Sequence, residues 1–196
     1  MDYSLLERNF NKRGYNVHIF KTKEEAVSFI EKEVENENVG FGASITLQEL
    51  NLAEILQKKN NLIWHWNVPG KKTLELARFT DVYFSSANAV SMEGDIVNID
   101  GTGNRISMLA YGPKKAYIII GKNKIVPTLE DAIERARNVA APLNARRLNK
   151  KTPCVKTGKC EDCNSSERIC RGILIITHLL TGMKYEIIFI DEDLGY

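Results

Sequence analysis

The order of apolar segments along the chain predicts an α/β fold, a mainly parallel sheet flanked by helices on both faces. Three observations carry that prediction. Short segments of strand type alternate with longer ones whose apolar residues recur at helical spacing. Residues 116–120 (Ala-Tyr-Ile-Ile-Ile) form the continuous apolar run that a strand buried on both faces needs. Two glycine-rich turns, at 40–46 and 100–105, each join a strand to a helix, which is where such sheets bind ligands.

Taken in order, residues 4–14 predict an opening helix with Leu5, Leu6 and Phe10 on one side and Gly14 as its stop. Residues 15–20 alternate as a strand does. Thr22 starts a helix with Glu25 placed for a capping box, and Ala26, Val27, Ile30 and Val34 share one face. A short strand at 38–43 precedes a helix opened by Thr46 with Glu49 and running to about Lys59. Strands at 62–66 and 81–86 flank a short helix at 71–79. Segments 89–92 and 95–99 form a hairpin through Glu93-Gly94. The turn at 100–104 leads into a helix over about 105–111, and the apolar strand 116–120 follows. Thr128 and Asp131 cap a long helix with the stripe Leu129, Ala132, Ile133, Ala136, Val139 and Ala140. After a cysteine-rich loop, 173–180 and 184–190 close the chain as a C-terminal hairpin about Thr181-Gly182.

The 196 residues suit a single domain: an α/β body over 1–150, a basic cysteine-rich loop over 151–171 and a strand pair over 172–196. At 43% hydrophobic and 27% charged, the composition is that of a folded chain rather than a disordered one. The net charge of +2 gives no case for a nucleic-acid binder. No apolar run reaches the ~18 residues of a membrane span, and the N-terminus lacks a basic-then-apolar signal, so a cytoplasmic protein is expected. The small net charge conceals an asymmetry. Residues 142–172 carry +5 and the rest of the chain −3.

In the first glycine turn, Gly40 and Gly42 permit close backbone approach, the following helix start offers N–H groups, and Ser44 and Thr46 add hydroxyls. The pattern is neither a dinucleotide fingerprint nor a phosphate-binding Walker loop, and Ser44 or Thr46 serving simply as a helix cap explains it equally well. In the second turn, Gly101, Thr102, Gly103 and Asn104 form an anion cradle beside Arg105, which can hold a carboxylate or phosphate through two bonds. The alternative there is a tight turn with a solvated arginine. Asn88, at a strand end, can donate to a ligand oxygen or merely suit a turn. His65 lies between Trp64 and Trp66 with no acid or nucleophile adjacent, which favours a packing role; His18 and His178 fall in strand segments and receive no role.

All four cysteines fall within one short stretch, Cys154, Cys160, Cys163 and Cys170. Cys160 and Cys163 form a Cys-x-x-Cys pair with a further thiol on either side. Four thiolates can complete a tetrahedral zinc site or hold a [4Fe-4S] cluster, each with an overall charge of about −2 that the basic surroundings would offset. The spacing matches neither a ferredoxin run nor a zinc ribbon, and disulfides or free thiols are the alternatives.

Several strings resemble the LUD domain family, to which lactate utilization protein C belongs. They are 80–89 (Thr-Asp-Val to Ser-Ala-Asn-Ala), 93–105 (Glu-Gly-Asp-Ile-Val-Asn-Ile-Asp-Gly-Thr-Gly-Asn-Arg), 112–115, 121–126 (Gly-Lys-Asn-Lys-Ile-Val) and 137–145. The likeness spans nearly the whole chain, and the tail from Thr152 to Cys170 is similar to that of stand-alone, cysteine-bearing members. The resemblance implies a sugar-isomerase/CoA-transferase-like (NagB/RpiA/CoA transferase-like) fold. It also implies a place in organic-acid metabolism of the L-lactate utilization type, beside an iron–sulfur partner subunit. In the wider superfamily, isomerases carry an acidic residue where this chain has Asn88, and an amide cannot serve as a carboxylate base.

Three functions follow as expectations. The first is a protein that binds a small carboxylate or phosphate through Gly42, Ser44, Thr46, Asn88, Gly101, Thr102, Gly103, Asn104 and Arg105, with a metal centre on the four cysteines. The second is an enzyme acting on a sugar phosphate or CoA thioester, with Glu49 or Asp100 as acid/base. The third is a non-catalytic module whose basic loop docks an acidic partner.

Overall fold

A computed structural model describes all 196 residues. In chain order the elements are α1 (Tyr3–Lys12), β1 (Asn16–Phe20), α2 (Lys23–Glu33), β2 (Asn38–Phe41), α3 (Ile45–Glu49), α4 (Leu52–Leu56), β3 (Asn61–Ile63), α5 (Lys71–Ala77), β4 (Val82–Ser86) and β5 (Ala89–Ser91). They continue with β6 (Ile96–Asp100), α6 (Asn104–Ala110), β7 (Lys115–Gly121), β8 (Ile125–Val126), α7 (Leu129–Arg135), α8 (Ala141–Arg147), α9 (Pro153–Thr157), β9 (Gly172–Ile176) and β10 (Lys184–Ile190). A 3₁₀ turn at Lys122–Lys124 follows β7, and a π-helical turn at Ala136–Ala140 joins α7 to α8.

Six strands form a parallel sheet in the order β1-β10-β7-β4-β2-β3, bearing out the predicted α/β class. The period of two explains how its core is divided. From β7 and β10, Ile118, Ile120, Ile187 and Phe189 point to one face and pack with Leu6 and Phe10 of α1 and Met108 and Leu109 of α6. Their neighbours Tyr117, Ile119, Ile188 and Ile190 point to the other face, against Ala26 and Ile30 of α2, Leu47 of α3 and Leu52 and Leu56 of α4. A second sheet, β8-β5-β6-β9, lies over the first of these faces through Val90, Ile96 and Ile176. Its outer side, Ala89, Val97 and Ile99, is covered by Ala132, Ala136 and Ala141 of the α7–α8 helix.

Two capping boxes form as read, Thr22 with Glu25 and Thr128 with Asp131, and the β5–β6 hairpin turns through Gly94 at φ 102°. Other expectations are corrected. The helix expected from Thr46 to about Lys59 is two short helices, because Asn51 sits between them in the left-handed region at φ 52°. Its cap is Ser44, whose hydroxyl accepts from the Leu47 N–H at 3.4 Å, while Thr46 and Glu49 turn to other partners. The closing C-terminal hairpin does not form. β9 pairs antiparallel with β6 in the second sheet, whereas β10 lies parallel between β1 and β7 in the first. Burial accounts for the separation: β10 is apolar on both faces and needs an interior position, while β9 alternates and lies at an edge with Ile173 and Ile175 exposed. His178 falls outside β9, on the surface.

Candidate ligand pocket

Because the large sheet is parallel, the carboxyl ends of its strands share one edge, and the loops leaving that edge enclose a cavity of about 550 Å³. Ser44 and Thr46 reach it from β2–α3, His65 and Trp66 from the β3 exit, Ser86 and Asn88 from the end of β4, and Lys124 from the turn after β7. Asp100, Gly101, Thr102, Asn104 and Arg105 line it from β6–α6, and Tyr196 from the tail beyond β10. Gly42 and Gly103 are not part of this lining. A Cβ on Gly42 would come within 3.1 Å of the Arg105 side chain and the Tyr83 hydroxyl, so that glycine makes room for Arg105.

The second glycine turn already holds an anion, and it is its own. The Asp100 carboxylate accepts the Thr102 and Gly103 N–H groups at 3.1 and 3.2 Å on one oxygen. Its other oxygen accepts those of Arg105 and Ile106 at 2.9 and 3.3 Å. Those four donors at the start of α6 are therefore taken by Asp100. Gly101 serves the approach of another chain segment, since a Cβ there would meet the Ile169 carbonyl at 2.8 Å. Arg105 is held from behind by the Ile99 carbonyl and lies 3.9 Å from Asp100. Asn88 uses its amide oxygen on the Ile99 N–H at 2.7 Å, which leaves its NH₂ as the group it can offer the cavity. Glu49 lies outside the lining and accepts the Gly195 N–H at 2.7 Å.

The residue that sequence reading missed is Lys124. It is 3% exposed, and its amine donates to Thr46 Oγ1 at 2.7 Å and Ser86 Oγ at 2.9 Å with no carboxylate partner. Burial, with Arg135 and Arg105 nearby, pulls it down from the usual lysine range to about 7. Its one sequence signal is position, in the loop leaving the apolar strand 116–120. His65 is pushed below its ordinary value by burial, and Trp66 stacks on Trp64 at 5.2 Å with Arg147 over its ring at 5.1 Å.

The cysteine-rich segment forms one wall of the cavity. Residues 166–169 and Arg171 line it, and the Arg171 N–H donates to the Asp100 carbonyl at 2.9 Å. Arg168 is braced by the carbonyls of Cys163 at 2.7 Å and Cys170 at 2.9 Å. Arg171 is braced by those of Arg168 and Ser166. The thiols themselves lie off the cavity, free and partly exposed, in separate settings. Cys154 pairs with the Thr152 hydroxyl at 3.2 Å, Cys160 sits 3.8 Å from the Arg137 guanidinium, and Cys170 packs beneath the second sheet. Nowhere do three His, Cys, Asp or Glu side chains converge so as to hold a metal ion, so the four thiols as placed do not fit the zinc or iron–sulfur centre. No helix is long and apolar enough to cross a membrane.

An α/β body with a basic cavity at its carboxyl edge and a cysteine-bearing wall defines the class. The chain belongs to the LUD domain family, whose model matches residues 3–190. A DUF162 family protein from Deinococcus radiodurans shares the fold, with a TM-score of 0.54 at 13% identity over 96% of this chain and 94% of that one. Ribose 5 phosphate isomerase A from Neisseria gonorrhoeae aligns with a TM-score of 0.36 at 22% identity, over 55% of this chain and 54% of its own. The delta subunit of eIF2B from Chaetomium thermophilum aligns with a TM-score of 0.36 at 10% identity, over 68% and 57%. No curated protein matches the chain.

Proposed function

We propose that this protein binds a small organic or phosphorylated acid in the cavity, as a cytoplasmic component of organic-acid metabolism of the L-lactate type. One observation carries the reading. Six basic side chains line the cavity (Arg105, Lys124, Arg147, Lys150, Arg168 and Arg171) against the acidic Asp100 and Glu167. Both carboxylates are engaged by backbone N–H groups, Asp100 at the start of α6 and Glu167 at Lys151. The surplus of basic side chains, walled by protein, favours an anion over neutral or cationic ligands. Binding is favoured over acid/base catalysis because Asp100 and Glu49 both spend an oxygen on the backbone.

Calorimetric titration with lactate, pyruvate and ribose 5-phosphate tests this. At least one should bind, more weakly as salt rises, and charge reversal at the exposed rim (Arg147→Glu with Lys150→Glu) should lower affinity tenfold or more. Absence of binding by all three, or affinity indifferent to both salt and the reversal, would sink the reading.

A second reading rests on the cysteine spacing and the +5 charge around it, which suit a metal centre that docks an iron–sulfur partner subunit. It requires the segment to close around the ion, since the thiols stand apart as placed. Anaerobic purification with iron, sulfide and zinc analysis decides it; metal-free protein with four titratable thiols counts against it.

A further inference from the structure

Resting on that anion-binding reading, we propose that Lys124 is the buried counter-ion for the ligand's oxyanion group, and that the cavity takes up a proton with each carboxylate, sulfate or phosphate it binds. The geometry at the amine carries the argument. The Thr46 hydroxyl donates its own proton to the Leu194 carbonyl, and the Ser86 hydroxyl donates to the Ala87 carbonyl, each at 3.3 Å. Both oxygens therefore accept from Lys124, which uses two N–H groups. The third position on the nitrogen is what Lys124 brings to the cavity it lines. It is an N–H when the amine is charged and a lone pair when it is neutral.

The groups around the amine decide which form holds. Behind it, α7 brings Arg135, whose guanidinium donates to the Asn88 and Asn123 carbonyls, and α6 brings Arg105. From α3 comes Glu49, a carboxylate that favours the charged amine but is already committed to the Gly195 N–H. The tail packs close, with a Cβ on Gly195 placed 3.3 Å from the nitrogen, and supplies Tyr196 to the lining; β3 supplies His65 and β6 Asp100. Burial, and then the positive neighbours, thus drive the proton off as pH rises past about 7 in the absence of an anion. An oxyanion at the third position supplies the missing negative charge and an acceptor for the third N–H, so the bound state holds the proton. By linkage, affinity falls by up to about tenfold per pH unit above neutrality, as the empty site loses the proton that the bound site keeps.

The test uses the full chain and two probes that stay fully ionised from pH 6 to 9, sulfate and pyruvate. Each is titrated calorimetrically at pH 8 in two amine buffers of different ionisation enthalpy. The difference in heat should report uptake approaching one proton per anion bound, and affinity should fall roughly tenfold from pH 7.5 to 8.5. Burial holds His65 below its ordinary value, and any uptake of its own would survive in Lys124→Arg, which separates it from that of Lys124. Lys124→Met should abolish both the binding and the uptake. Lys124→Arg should keep the binding and lose the uptake, because a guanidinium stays charged. Binding that is flat with pH and free of proton uptake overturns this inference and leaves the anion pocket standing. Where neither sulfate nor pyruvate binds at pH 6, the buffer comparison is repeated with lactate and ribose 5-phosphate, and failure of those as well overturns the pocket reading first. The wild-type buffer comparison is decisive even if a variant fails to fold.

Discussion

A lysine 3% exposed, bonded to two hydroxyls and facing two guanidiniums, is under pressure to lose its proton. That pressure is also a stability statement. Its folded value, about 7, lies below the unfolded 10.5. Between those values the unfolded chain holds more protons, so stability rises with pH through that window, and below it the full cost is present. Each unit of separation is worth at most about 1.4 kcal/mol. Lys124→Met removes the titration while keeping a side chain of similar length. Denaturant unfolding of both proteins without ligand should show the wild type gaining on the variant from pH 7 to 10; parallel curves would mean the amine stays charged throughout. The sequence could not announce this residue. Lys124 is one of 27 basic side chains, and its burial depends on Thr46, Ser86 and Leu194, which are brought to it from far along the chain. Asp100 shows the converse: its residue type was legible as an acid beside an anion cradle, but its proximity to its own helix start filled that cradle.

At the scale of elements, the wall over the cavity depends on one close approach. The segment after Cys163 crosses the β6–α6 turn with the Ile169 carbonyl directly over Gly101, and the Arg171 N–H bonds the Asp100 carbonyl. A methyl group on Gly101 would meet that carbonyl at 2.8 Å, and backbone on both sides leaves little room to yield. Gly101→Ala should therefore destabilise by about 1–3 kcal/mol and loosen the wall. Limited proteolysis should cleave within residues 151–171 faster than in wild type, and anion affinity should fall with it, while helical content stays unchanged; undiminished protection would place the wall's anchor elsewhere. The two glycine turns were legible as places of close backbone approach. What approaches them, a side chain at Gly42 and a main-chain carbonyl at Gly101, is tertiary and left no local mark. The closing strands teach the same lesson. Both were readable from their apolar patterns, but a short turn between them suggested pairing, and burial on two faces placed β10 in the other sheet.

For the whole molecule, the α/β class and its parallel sheet were legible because alternation of strand and helix patterns dictates crossover connections, whichever strands become neighbours. The order β1-β10-β7-β4-β2-β3 inserts the last strand beside the first, so the N- and C-terminal parts of the chain share one sheet. That interleaving has a thermodynamic consequence. Leu6, fully buried on α1, packs on one face of the sheet, and Leu56, 1% exposed on α4, packs on the other. The strands between are common to both cores: Ile187 and Phe189 serve one while Ile188 and Ile190 serve the other. Neither face can unfold without stripping the alternate residues of the same strands. Leu6→Ala and Leu56→Ala should each cost about 2–5 kcal/mol through lost transfer energy and a residual cavity. The side chains lie on opposite faces and share no partner, so the double variant should show the sum of the two within about 0.5 kcal/mol. Unfolding followed in parallel by tryptophan fluorescence and far-UV circular dichroism should remain one coincident transition in all four proteins. The tryptophan signal arises on the Leu56 side, where Trp64 packs. A transition that splits in Leu6→Ala, with fluorescence outlasting dichroism, would show instead that the two cores are separate cooperative units.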